Sequence, residues 1–305
     1  MASFLFIVNY FLKSDGKPPQ WLHESFECLI KAAKYANNEG IGVKILIVTS
    51  HKDFDYYSSI CEGYSFAHVM RLPKRSDINR FPCIADVLVP EGQIEWLDAS
   101  GTSSQFIVYA NADICVPQYF FHFFSQQIFL NKKLYSGNTS YVVNRKDLVG
   151  DDVDPGDADV KNIFMHGGYD CFIFNASIYP LLQLGEVTIG VPPIGAIMKL
   201  NLENLSDRVF LYNDTFLTWH RGQDGEWKSG TLDAEKSRNR LAAKIAVQDL
   251  ALMIGTSPKK LRTPGFENNL IVNYFIKSNL FLRIPRFLKK KIKFVLISLV
   301  ERLND

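Results

Sequence analysis

Asn111 and Asp113 end the run Phe106-Ile-Val-Tyr-Ala-Asn-Ala-Asp-Ile114, and Pro117 soon closes the segment. An apolar, β-branched and aromatic stretch of this length reads as a buried strand. Ligands of open α/β sheets sit just beyond the carboxyl ends of such strands. A carboxylate there, two residues after an amide, can hold a hard divalent cation that keeps waters and bridges to phosphates. The plain alternative is a strand ending in a turn, because Asn and Asp both favour turns.

The elements that must position these residues alternate. Phe4–Tyr10 reads as a first strand. Leu22, Phe26, Leu29 and Ala33 then recur at helical spacing, after Pro18-Pro19 and before Gly40. Val43–Val48 is a second buried strand, Asp53–Cys61 a weaker helix and Ala67–Arg71 a third strand. Asp98–Thr102 is the loop before the Asn111 strand, and Tyr119–Leu130 is a strongly aromatic helix. Such alternation predicts an α/β fold with a mostly parallel sheet. Beyond Tyr135, Tyr141–Arg145, Tyr169–Phe174 and Val187–Val191 read as strands, with an acidic Gly/Pro loop at Asp151–Asp159. Phe210–His220 alternates loosely and runs into the turn-rich Arg221-Gly-Gln-Asp-Gly225. Thr231–Ile254 is helix-like, with Leu241, Ile245 and Leu252 on one side, and Ser257–Gly265 marks a linker. The chain has no internal repeat.

Composition sets outer bounds. A chain of 305 residues, 47% hydrophobic with 23 Phe and 13 Tyr, can bury a sizeable core and is not a disordered protein. Cys28, Cys61, Cys83, Cys115 and Cys171 are odd in number and contain no Cys-x-x-Cys pair. They form neither a disulfide framework nor a zinc cage. Met1 leads straight into a strand-like run without a basic region or cleavage site, so a reduced cytoplasmic setting is expected. The sequons at Asn138 and Asn175 are then chance. Charge is uneven: Lys277–Asp305 carries eight Lys or Arg against two acids, +6, which leaves −4 for residues 1–276 of a +2 chain. With no basic stripe through the body, a nucleic-acid partner is not expected.

Five features follow one another along the chain: Arg80-Phe-Pro-Cys-Ile-Ala-Asp86, Asn111-Ala-Asp113-Ile, Asn144-Arg145-Lys-Asp147, Gly168-Tyr-Asp170-Cys-Phe-Ile-Phe and Thr218-Trp-His220. In this order they resemble a group of bacterial and plant glycosyltransferases of GT-A type. Asn-Ala-Asp resembles a variant of that family's Asp-x-Asp metal and nucleotide-sugar motif. The resemblance implies a GT-A-like mixed sheet flanked by helices over residues 1–256. Residues 1–134 would be the nucleotide-binding half and 135–256 the acceptor-side half, followed by a linker and tail at 257–305. It also implies a UDP-sugar donor, Mn²⁺ or Mg²⁺ as cofactor, and a glycan or lipid-linked glycan acceptor. The activity expected is hexosyl transfer in surface polysaccharide or lipopolysaccharide synthesis.

The resemblance also assigns residues. Asp113 would bind the cation, with Asn111 offering an oxygen to the ion, its waters or the ribose. His220 matches the late His that completes the metal or pyrophosphate site, though a core or surface His beside Trp219 is the alternative. Arg80 and Arg145 offer planar forks to phosphate or carboxylate, or form surface ion pairs. Asp86 could recognise the donor base or ribose, or cap a helix. Asp170 is a carboxylate in an apolar strand and needs a partner or a function. It could bind donor-sugar hydroxyls or deprotonate the acceptor. One departure is the stretch Ile189–Met198, which has no acid where the family carries one near the start of a helix.

Residues 281–303 interleave Arg283, Arg286, Lys289, Lys290, Lys291 and Lys293 with Phe287, Leu288, Ile292, Phe294, Leu296 and Leu299. A basic amphipathic helix of this kind lies on an anionic membrane surface, or packs on its domain with the Lys face solvated. The first alternative places the protein on the inner face of the plasma membrane. Two rival functions stay open, a nucleotidyltransferase on a similar sheet and a non-catalytic glycan- or nucleotide-sugar-binding protein. A Rossmann dehydrogenase is poorly supported, since no Gly-x-Gly-x-x-Gly follows the first strand.

Overall fold

The computed structural model describes residues 2–13, 15–73, 81–88, 105–134, 137–148, 163–213, 216–220 and 232–261, with the backbone alone at 148 and 163–167. Ser3–Asn9 forms β1, buried on both faces as a central parallel strand must be. Phe4, Phe6 and Val8 enter one hydrophobic layer while Leu5 and Ile7 enter the other. α1 (Gln20–Asn38) turns Leu22, Phe26, Leu29 and Ala33 into the first layer. It ends where Gly40 adopts φ +77° and the Ile41 N–H reaches the Ala36 carbonyl, a closure that needs the left-handed region glycine tolerates. β2 (Gly42–Thr49), α2 (Phe54–Cys61) and β3 (Ala67–Arg71) follow.

After α3 (Ile84–Leu88), β4 (Phe106–Ala110) pairs with β1 on the side away from β2. Next come β5 (Ile114–Cys115), α4 (Phe120–Leu134), β6 (Thr139–Leu148) and β7 (Ile163–Asn175). A 3₁₀ turn at Ala176–Leu181 leads to α5 (Ile194–Leu205), β8 (Arg208–Tyr212) and β9 (Trp219–His220). α6 (Asp233–Met253) and a 3₁₀ turn at Pro258–Lys260 close the described chain.

The sheet runs β3-β2-β1-β4-β7-β6-β9-β5, with β8 beside β6. β3, β2, β1 and β4 are parallel, and β7 is antiparallel to both β4 and β6. Strand order reverses between β1 and β4, and such a switch point opens a crevice at the carboxyl ends of the strands. Asn111 and Asp113 sit at that edge. α1, α2 and α4 supply the first layer, and α3, α5 and α6 the second.

One expectation needs correction. Val187–Val191 is not a strand; its only sheet-like contact among the described residues is a single bridge from Thr188 to Cys83. Asn239 of α6 takes the place of a ladder there. Its Oδ1 accepts from the Thr188 N–H at 2.7 Å and its Nδ2 donates to the Val191 carbonyl at 2.8 Å. Backbone groups satisfied by a side chain have no need of a neighbouring strand. α6 forms where the sequence places a helix. Leu241, Ile245 and Leu252 do share one side, but that side is exposed. The buried side carries Ala242, Ala243, Ala246, Val247, Leu250 and Ala251, and small residues let α6 approach closely: Ala246 Cβ lies in contact range of Gly185. The Asp98–Thr102 and Asp151–Asp159 loops, the Arg221–Gly225 loop and the C-terminal tail lie outside the described residues.

Candidate active site

The site is built by strand register. β4 ends at Ala110, and a turn from Asn111 to Ile114, closed by the Ile114 N–H on the Asn111 carbonyl, projects Asp113. Ser25 of α1 sets its hydroxyl within hydrogen-bond distance of the Ala112 carbonyl and braces this turn. β5 then pairs antiparallel with β9, placing Ile114 opposite His220. β9 also runs parallel to β6, placing His220 opposite Asp147. A histidine at the end of a two-residue strand is thus fixed between two acids from distant parts of the chain.

β6 is irregular where it matters. Its pairing with β7 shifts register between Val143 and Asn144 and again between Asn144 and Lys146. Bulges of this kind re-aim side chains beside functional sites. Here Arg145 sits in the irregular segment and is buried, with Nε 3.0 Å from Asp147 Oδ1 and Nη1 3.2 Å from Asp170 Oδ2. Asp170 lies on β7 where that strand meets β4. Its Oδ1 accepts from Asn111 Nδ2 at 2.7 Å, and the Tyr109 hydroxyl donates to Asn111 Oδ1 at 3.3 Å. At the other end, His220 Nε2 is 2.9 Å from Asp113 Oδ2 and Nδ1 is 3.4 Å from Asp147 Oδ1.

Electrostatics follow from this pairing. Burial opposes a charge on His220, but hydrogen bonds to Asp113 and Asp147 outweigh it and raise the pKa to about 9. At neutral pH the ring is an imidazolium donating from both nitrogens. Burial alone would raise Asp113; His220, with Arg145 behind it, instead holds its carboxyl below the usual range. Asp170 goes the other way. Burial raises it to about 6, against the pull of Arg145 and with the push of the Asp113 charge. Among the described residues, three carboxylates of this cluster face two cations.

Asp113 Oδ1 is buried and has no hydrogen-bond partner among the described residues. An orphaned carboxylate oxygen among neighbouring carboxylates fits a hard divalent cation held by one protein carboxylate plus substrate phosphates. Both nitrogens of His220 face acids in this arrangement. Among the described residues no group of three or more His, Cys, Asp or Glu forms a ready metal cage.

The structure therefore brings Asn111, Asp113, Arg145, Asp170 and His220 into one connected network. Asp86 is buried on α3; Arg80 lies outside the described residues. Asp147 is the member that residue-type reasoning left without a role. The signal was present: in a strand, residues two apart share a face, so Arg145 and Asp147 had to point the same way. Gly195, in the stretch that lacks an acid, opens α5 directly against β7, and a Cβ there would collide with the Tyr169 carbonyl.

No family model matches the chain, and no curated protein does. Solved structures do. Residues 1–349 of S. aureus TarS in complex with UDP-GlcNAc are similar at TM-score 0.51 and 13% identity, over 95% of this chain and 78% of that one. The UDP complex of the same protein gives TM-score 0.52 and 11% identity, over 95% and 77%. The fold is GT-A-like. The mostly parallel sheet flanked by helices is the architecture expected from the order of the sequence motifs.

Proposed function

We propose that this protein is a glycosyltransferase moving a hexose from a UDP-sugar to a glycan or lipid-linked glycan acceptor. The observation that carries this reading is the polar network at the carboxyl end of β4, with Asp113 Oδ1 left open, on a GT-A-like sheet. The similar TarS structures hold UDP-GlcNAc or UDP, which supports a UDP-linked donor here. Surface polysaccharide or lipopolysaccharide is the acceptor class, and the +6 tail seats the protein on the inner face of the plasma membrane.

Asp113 would hold Mn²⁺ or Mg²⁺ through Oδ1, with His220 able to join only by giving up a carboxylate. A divalent cation bound there neutralises charge developing on the leaving diphosphate. Asn111 orients Asp170 and meets the ribose or the cation's waters. Arg145 is fixed between Asp147 and Asp170 and contributes positive charge to the phosphate side. Arg80 and Asp86 belong to the donor subsite on sequence grounds. Asp170 takes the acceptor proton as the acceptor oxygen attacks the anomeric carbon and the bond to UDP breaks. A pKa near 6 suits a base working at neutral pH.

Incubation with a panel of UDP-hexoses and Mn²⁺ or Mg²⁺, with lipid-linked glycan acceptors, tests the reading. Release of UDP coupled to a new glycoside supports it. Donor binding without any UDP release would favour the second reading, a non-catalytic nucleotide-sugar-binding protein. That reading draws on Gly195, which leaves the start of α5 without an acid.

A further inference from the structure

α6 has two unlike faces. Its inner face is made of small residues, Ala242, Ala243, Ala246 and Ala251, with Val247 and Leu250, packed in the second layer. Its outer face bears Leu241, Ile245 and Leu252, which are 60%, 48% and 80% exposed. Spacings of four and seven put these three in one stripe along the helix. Met253 and Ile254 extend the apolar surface at its end. Large apolar groups outside and alanines inside invert the usual amphipathic pattern.

The stripe is set among cations. Lys244 flanks it, and Lys259 and Lys260 follow just beyond, all exposed. Between residues 233 and 260 six Lys or Arg stand against Asp233, Glu235 and Asp249, and Lys236 is paired with Asp233 at 2.8 Å. In sequence this basic, apolar segment runs on through the linker into the +6 tail. We propose that the outer face of α6 is a contact surface for an anionic lipid bilayer. Apolar side chains enter the headgroup boundary while the surrounding Lys and Arg meet lipid phosphates. A second copy of the chain, or the basic tail folded back, would instead bring like charges together on this face.

The same helix reaches the site. Asn239, on its inner side, holds the backbone of Thr188 and Val191. That segment leads into α5, whose first turn rests on Tyr169 beside Asp170. A bilayer under α6 thus lies one helix away from Asp170. The proposal does not depend on the reaction, because it is read from binding alone.

The test uses the full chain with phosphatidylcholine vesicles, with and without phosphatidylglycerol. The double variant Ile245→Glu/Leu252→Glu should lose about tenfold in partition onto anionic vesicles, with its tail intact and its melting temperature unchanged. Leu241→Trp should give an emission that shifts to the blue with anionic vesicles and not with neutral ones. Unchanged partition of the double variant, or no spectral shift, overturns the proposal. So does a melting temperature lowered by several degrees without lipid, which means that the chain covers its own stripe. Loss of self-association with vesicle binding intact would assign the face to a second copy and also overturns it.

Discussion

Asp113 and His220 are 107 residues apart in sequence, yet Asp113 Oδ2 lies 2.9 Å from His220 Nε2. The contact is made by two short pairings, β5 with β9 and β9 with β6, which also set His220 against Asp147. The histidine is a charged tie between the β4 edge and the β6 edge of the site.

A pH dependence follows from the raised His220 pKa. The group's ordinary value is 6.5 and its folded value about 9. Its protonation therefore stabilises the fold fully below pH 6.5, and that contribution is lost as pH rises through about 9. In chelator, the wild-type melting temperature should fall between these limits more steeply than that of His220→Gln. Parallel profiles for the two proteins would contradict the paired imidazolium.

Asp170→Asn separates chemistry from structure. Burial makes the charged carboxylate costly in the fold, so an amide of the same shape should leave the melting temperature at pH 7.5 equal or higher. Turnover should drop about 10²- to 10⁴-fold, the range for loss of a general base, with donor affinity retained. The wild-type product should carry the anomeric configuration opposite to the donor's, read by NMR. Retained configuration would make Asp170 a donor-sugar ligand instead.

Much of the fold can be read from local pattern, and the reasons are specific. β1 and β2 are buried runs bounded by turn residues, and α1 has helical spacing between Pro19 and Gly40. Neither signal needs tertiary information. The site is legible only in its residue types: Asn111 and Asp113 close an apolar strand, and Asp170 breaks one. Their meeting is not legible, because β5 and β9 are two residues long and carry no periodicity. The irregular register of β6 at Asn144, which aims Arg145, leaves no mark in composition either. α6 misleads a pattern reader because its largest apolar residues face outward and alanines form its contact.

Asn239→Ala should cost about 1–3 kcal/mol, because it strips partners from the buried backbone of Thr188 and Val191. Chemical denaturation measures this directly. A loss near zero would mean that the segment before α5 is held by other contacts.

Gly195→Ala should destabilise by about 1–3 kcal/mol, since the added methyl meets the Tyr169 carbonyl. It should also lower turnover by moving β7 next to Asp170. Full stability and full turnover would show that α5 can shift freely, and that the missing acid there has no steric cause.

The most direct test of the nucleotide-sugar site is calorimetric titration of a UDP-hexose, with Mn²⁺, into the wild-type protein and Asp113→Ala. The wild type should bind, and Asp113→Ala should bind at least about tenfold more weakly while still folded, since the open Oδ1 is gone. Chelation should weaken wild-type binding and leave the variant unaffected. Equal affinity of the two proteins, with and without the cation, would contradict a donor site built around Asp113.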